Sequence, residues 1–195
     1  GRWLQAGDLL PAGAADEVAV QAPGFGAEPP EIALPADWAP ADLPPGSTAV
    51  RVLPAGEYGL FTEESQQRFW DTGWKISGQS NRAGFRLAGQ PLEFARRLEM
   101  RSHGIVPGVV QVPPSGEPII QLSDAHTAGG YPKIGTVVEA DLWRLAQAPL
   151  GSRLRFVPVT YRDALEALRR VDAWIATLRR LAGQYRSLCA TGRRP

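Results

Sequence analysis

The stretch Gln111-Val-Pro-Pro-Ser-Gly-Glu-Pro-Ile-Ile-Gln-Leu-Ser-Asp-Ala-His-Thr-Ala-Gly-Gly-Tyr-Pro-Lys-Ile134 holds two apolar runs, a tight turn and a polar loop. Pro113-Pro-Ser-Gly116 is a turn signal, because proline fixes φ and glycine supplies the positive φ that closes a reversal. Ile105 to Val112 before it reads as a strand interrupted by Pro107-Gly108, and Pro118 to Ser123 after it as the hairpin partner. The second strand runs directly into Asp124-Ala-His-Thr-Ala-Gly-Gly-Tyr-Pro-Lys133. Gly129-Gly130 permits close backbone approach by a ligand, and Tyr131 is biased to extended geometry by Pro132. A carboxylate, an imidazole, a hydroxyl, a phenol and an ammonium on such a loop make either a candidate site or a solvated β-loop.

Outward from this hairpin, short strands are expected at Ser47–Leu53, Trp74–Ser77, Phe85–Leu87, Leu92–Met100, Gly135–Val138 and Arg153–Val159. In the last of these, Leu154, Phe156 and Pro158 share one face and Arg153 and Arg155 the other. A further strand-like opening is expected at Arg2–Leu10, with Gly7-Asp8 as a turn. Thr62 is placed to cap a helix that Gly73 ends, with Phe61 stapled onto its first turn. Glu139–Gln147 reads as a second short helix. Thr160 and Asp163 open a long terminal helix in which Leu165, Leu168, Val171, Ile175, Leu178, Ala182 and Tyr185 recur at helical spacing. With no βαβ alternation, GxGxxG or P-loop, the pattern is mainly β: a barrel with capping helices.

Composition narrows the class. The 195 residues suffice for a substantial core, and a net charge of +1 gives no global argument for nucleic acid. The basic face of the terminal helix lacks aromatic interleaving, so it reads as a solvated surface. No run reaches the roughly 20 apolar residues of a membrane span. The lone Cys189 rules out an internal disulfide and fits a reducing compartment, so a cytoplasmic setting is expected. Between Pro23 and Pro45 frequent prolines disfavour regular structure, and the first 46 residues are acidic. The chain opens Gly-Arg-Trp, as the interior of a longer polypeptide would.

Several side chains invite a chemical reading. Arg82 and Arg86 are either outward charges or a clamp for a carboxylate or phosphate. Lys133 follows a rigid Tyr-Pro segment and can meet a carbonyl or phosphate oxygen. Asp124 can serve as a general base or cap the loop, and Gln111 can orient a ligand or face water. His103 and His126 are the only histidines and lack metal-ligand spacing, so no metal is expected.

Ser80-Asn-Arg-Ala-Gly-Phe-Arg-Leu-Ala-Gly89, Gln111–Asp124 and Thr127-Ala-Gly-Gly-Tyr-Pro-Lys-Ile134, in this order, resemble the biotin-dependent carboxyltransferase family. That family includes the C subunit of 5-oxoprolinase (KipA), allophanate hydrolase subunit 2 and the carboxyltransferase domain of urea amidolyase. The likeness covers about residues 47–185, and Gly1-Arg2 with Gly7-Asp-Leu-Leu10 resembles the family's mid-chain segment. It implies a cyclophilin-like β-barrel plus a long C-terminal α-helix, in a chain that is the C-terminal part of a subunit whose N-terminal half lies elsewhere.

Five segments follow from this resemblance. Residues 1–22 would end a preceding domain or barrel strand, 23–46 form a linker or crossover, 47–160 the barrel, 161–188 the helix and 189–195 a tail. The implied activity is that of a hydrolase component: ATP-dependent opening of 5-oxo-L-proline, a lactam, to L-glutamate, with this fragment inactive alone. The implied partners are a KipI-like B subunit and an A subunit. By motif position Lys133, Asp124 and Tyr131 would be catalytic, and Arg82, Arg86, Gln111, Thr127, Gly129 and Gly130 would bind substrate. Developing charge on a lactam or urea oxygen needs such donors.

Two alternatives accompany this reading: a urea-carboxylating or allophanate hydrolase-associated subunit served by a biotin carrier, and a non-catalytic antagonist that binds a KipI-like partner. Met100 precedes arginine rather than lysine, so the chain carries no biotin itself. Asn81 stands where the family commonly has aspartate, and Ala125-His126 and Ala128 replace its usual Arg-Gln and second Thr.

Overall fold

A computed structural model describes residues 4–11, 40–96 and 99–190, the last three without their side chains. The chain divides into two compact units, residues 31–172 and residues 1–30 with 173–195. Of the expected crossover at 23–46 only residues 40–46 are described, and of the expected tail at 189–195 only 189–190; the rest lies outside the described residues.

Among its described residues the larger unit carries nine strands: β1 Thr48–Pro54, β2 Trp74–Ile76, β3 Gly84–Ala88, β4 His103–Gly104, β5 Val109–Gln111, β6 Ile119–Gln121, β7 Ala128–Gly129, β8 Lys133–Val137 and β9 Arg153–Pro158. Helix α1 spans Glu63–Asp71 and α2 Leu142–Gln147, and α3 runs Tyr161–Ala190, passing out of this unit. Seven strands close a barrel in the order β1-β8-β5-β6-β3-β2-β9, sealed by the parallel pairing of β9 with β1. The other two, β4 and β7, form a separate two-stranded ribbon. The protein is thus mostly β, a closed barrel with a long C-terminal helix.

Period-two alternation decides what each strand contributes to the interior. Val50 and Val52, Trp74 and Ile76, Phe85 and Leu87, Val110, Ile120, Ile134, Leu154 and Phe156 point inward and are buried. On α1, Thr62 accepts a hydrogen bond from the Ser65 amide at 3.2 Å, the N-cap expected from the sequence. The helix presses Phe69 onto Phe156 with ring centroids 4.6 Å apart. Thr160 and Asp163 cap α3 reciprocally, the Asp163 carboxylate accepting from the Thr160 hydroxyl at 2.6 Å and its amide at 3.0 Å. These bonds hold the Asp163 carboxyl below its ordinary value. The first turns of α3 pack Ala167, Ala164 and Val171 against Val138 and Leu53.

The structure corrects four local expectations. Leu4–Leu10 forms no strand, only the turn in which the Asp8 amide donates to the Gln5 carbonyl at 3.1 Å. The strand expected from Ile105 shrinks to Val109–Gln111, because Val106 to Val109 closes a turn that Pro107 favours. The described residues of 92–100 form an irregular loop with one bridge, Phe94 to Phe61, whose rings lie 4.8 Å apart; Phe61 is engaged across the chain. In β9 Pro158 is exposed, so the inward series ends at Phe156, while the buried Val157 lies opposite Arg51 on the outer face.

A buried ion pair ties the barrel to α2. The Asp141 carboxylate accepts from the Arg51 amide and Nε, both at 2.8 Å, and from Nη2 at 2.5 Å. Asp141 is fully buried. In the sequence Arg51 occupies an outward position on a strand, where a charge ordinarily meets water.

Candidate substrate cavity on the outer barrel wall

The hairpin signal from which the fold was read also builds the site. Gly116 sits at φ +79°, its amide donates to the Pro113 carbonyl at 2.9 Å, and the reversal sets Val110 opposite Ile120. Because Val110 and Ile120 face the core, alternation turns Gln111, Ile119 and Gln121 to the outer face. Next in the sheet, Phe85 pairs with Ile120, so Gly84 and Arg86 share that outer face. An outer face usually meets water, yet Gln111 is only 3% exposed.

Its cover is the β4–β7 ribbon and the loop that follows. The Ile105 amide donates to the Thr127 carbonyl at 3.0 Å and the Val112 amide to the Pro132 carbonyl at 2.9 Å, bracketing the cover at both ends. Gly129 lies directly on Gln111: a Cβ built there would stand 2.8 Å from Gln111 Nε2 and 3.1 Å from its Oε1. The contact requires glycine. Gln111 Nε2 donates to the Tyr131 carbonyl and Gln121 Nε2 donates to Gln111 Oε1, each at 3.1 Å. Two carboxamides in series therefore join the barrel wall to its cover.

Between wall and cover lies a cavity of about 470 Å³. Arg86, Gln111, Gly129, Gly130 and Tyr131 of the sequence-derived set line it, joined by Gln121 and His126. No carboxylate lines it, and Arg86 has no ion-pair partner among the described residues. The environment suits a small anion with hydrogen-bonding groups.

The remaining candidates are placed elsewhere. Arg82 pairs with Asp124 at 3.2 Å, with side chains 90% and 49% exposed, beside a separate cavity of about 420 Å³ that reaches Leu142 and Ala146 of α2. Lys133 Nζ lies 3.4 Å from Glu57 Oε1, and the Lys133 amide donates to Glu57 Oε2 at 3.2 Å. Thr127 is exposed and joins the ribbon through its carbonyl. His103 donates from Nδ1 to the Arg101 carbonyl at 2.9 Å, and the described residues hold no cluster of three or more metal-ligating side chains. Sequence reasoning passed over Gln121, although it stands two residues from Ile119 on the strand paired with Gln111. Glu57 carried no signal, since it meets Lys133 only through the fold.

The model of the carboxyltransferase domain, subdomain A and B, matches residues 1–158. The chain belongs to this family. Among its relatives is the C subunit of 5-oxoprolinase from Escherichia coli, 42% identical over 167 residues that make up 86% of this chain and 49% of the relative. The protein of the same name from Haemophilus influenzae is 44% identical over 69% of this chain and 44% of its own length. The chain thus spans about half the length of the curated relatives it matches. Among solved structures, the urea carboxylase of Kluyveromyces lactis superposes with a TM-score of 0.57 at 29% identity, over 61% of this chain and 11% of that one. The solved urea carboxylase agrees with the barrel architecture, and the two 5-oxoprolinase relatives are named as a subunit. No helix among the described residues is long and apolar enough to cross a membrane.

Proposed function

We propose that this chain is the part of a 5-oxoprolinase C subunit that forms one wall of the substrate site, within a complex that opens 5-oxo-L-proline to L-glutamate at the expense of ATP. The observation that carries the reading is the cavity over β3, β6 and β5. Five residues of motifs resembling the family line it together, in a chain 42% identical to the C subunit of a 5-oxoprolinase over 86% of its length. The substrate is a five-membered lactam bearing a carboxylate, and its opening adds water across the lactam C–N bond. Carboxamides suit the lactam and a guanidinium suits the carboxylate.

Neither of the two longer helices offers a triphosphate site at its N-terminus. The two longer helices open on acids, Glu63-Glu64 and Asp163, where a triphosphate would be repelled. In this reading ATP acts through the partners, a KipI-like B subunit and an A subunit. A soluble cytoplasmic assembly and a biotin-served urea reaction remain, respectively, its setting and its rival. The rival rests on the likeness to urea carboxylase. Lys133, Asp124, Arg82 and Thr127 keep supporting roles outside the cavity. The segment boundaries at 22, 46, 160 and 188 are proposed as those of the longer subunit.

The test is glutamate release from 5-oxoproline by the full-length subunit reconstituted with its partners, with and without ATP, alongside urea with a biotin carrier. ATP-dependent glutamate that falls at least tenfold in Gln111→Leu supports the reading. Carboxylation of urea without glutamate release refutes it.

A further inference from the structure

The cavity separates two kinds of recognition between neighbouring strands. On β6, Gln121 spends one N–H of its carboxamide on Gln111 Oε1, and that bond fixes the group against the wall. Its second N–H and its Oε1 have no partner among the described residues, leaving a donor and an acceptor. Opposite Gln121 on β3 stands Gly84, which offers no side chain; the Ile119 side chain lies against that position, 3.3 Å from where a Cβ would stand. Two residues along β3, on the same face, Arg86 brings a full positive charge with no carboxylate in the cavity to neutralise it. Diagonal neighbours on adjacent strands stand about 7–8 Å apart, within reach of long side chains.

A five-membered lactam holds its amide cis, so N–H and C=O leave the ring on the same side. That edge matches the donor and acceptor of a single carboxamide. Urea presents a similar edge. A group that pairs with this edge therefore does not tell one lactam from another, whereas a cation that requires a carboxylate does.

We infer that Gln121 and Arg86 form a two-point recogniser for carboxylate-bearing cyclic amides, Gln121 reading the amide edge and Arg86 the carboxylate, so that Arg86 sets the selection of 5-oxoproline over plain lactams. The inference rests on the proposed substrate class but assigns it to two side chains, one outside the motif-derived set. Neither residue is asked to perform a chemical step; both position the substrate. Gln111 is the brace, holding Gln121 on one side and the Tyr131 carbonyl on the other.

The experiment measures equilibrium binding by calorimetry on the full-length subunit with its partners. The probes are 5-oxoproline, 2-pyrrolidinone (the same lactam without its carboxylate) and urea. Charge-assisted hydrogen bonds set the expected scale: Arg86→Gln should weaken 5-oxoproline about 10–100-fold and leave 2-pyrrolidinone within about twofold. Arg86→Lys should recover part of the loss. Gln121→Leu should weaken both lactams by a similar factor, and melting curves confirm that the variants fold. Equal loss of both lactams in Arg86→Gln, no loss in either variant, or wild-type protein that binds neither lactam overturns the inference. Arg86-dependent binding of 5-oxoproline without ATP-dependent glutamate release keeps the recogniser and refutes the activity reading instead.

Discussion

Gly129→Ala isolates the contact that seats the cover on the barrel wall. Gly129 lies outside the positive-φ glycines, so its backbone accepts alanine without strain. Gly→Ala at a compatible position is ordinarily stabilising by about 0.4–1 kcal/mol through the unfolded chain. Here the new methyl would lie 2.8 Å from Gln111 Nε2, well inside contact distance. A free glutamine would swing aside, but this one is bound to the Tyr131 carbonyl and to Gln121. Displacing it forfeits two hydrogen bonds of about 0.5–1.5 kcal/mol each, a loss of about 1–3 kcal/mol that the alanine gain cuts to a net cost of about 0–2.6 kcal/mol. Denaturant unfolding of the full-length subunit measures this, in a double-mutant cycle with Gln111→Ala. That second change removes the atoms the methyl meets, so in its background Gly129→Ala should be neutral or slightly stabilising. The coupling should be about 1–3 kcal/mol. Additive losses would refute the proposed packing of cover on wall.

Three further outcomes are expected. Asp141→Ala removes three hydrogen bonds from the buried Arg51 and should cost about 3–5 kcal/mol in denaturant unfolding, while Arg51→Met with Asp141→Leu should recover much of it. Because the Asp163 carboxyl is held below its ordinary value, its contribution to α3 is full above that value and is lost as pH falls through the lower folded one. Acid titration of helicity should therefore show this component in the wild type and not in Asp163→Asn, and Thr160→Ala should cost about 0.5–2 kcal/mol at neutral pH. Lys133→Met and Glu57→Gln, which break a pair whose side chains are 18% and 20% exposed, should each lower stability by about 1 kcal/mol or less. If Lys133 only braces the loop, both should lower glutamate release by the same modest factor; a collapse in Lys133→Met alone assigns it a chemical role.

Local chemistry made the barrel legible. The Pro-Pro-Ser-Gly turn, the alternation in β1 and β3 and the Thr62 and Thr160 caps each state their structure within a few residues. The misreadings came where tertiary contacts decide: residues near Phe94 carry strand-like composition but find only the Phe61 bridge. The same division holds at the site. Gly129, Gly130 and Tyr131 mark a candidate ligand loop, and Gln111 can be aligned with it by motif. That Gln111 is buried on an outer barrel face follows only from the ribbon that covers it, and a two-residue ladder such as β4–β7 leaves no periodicity to read. Lys133, Asp124 and Arg82 had the right chemistry for the site, and their ion pairs became visible only with the fold.

A crystal structure of the full-length subunit with 5-oxoproline bears most directly on the cavity. The account requires the ligand between Arg86 and Gln121, beneath Gly129 to Tyr131, with its carboxylate on the Arg86 guanidinium and its lactam edge on the Gln121 carboxamide. A ligand seated instead in the neighbouring cavity of about 740 Å³ formed by Phe94, Val112 and Pro132, with the space over β3 and β6 left to water, would contradict it.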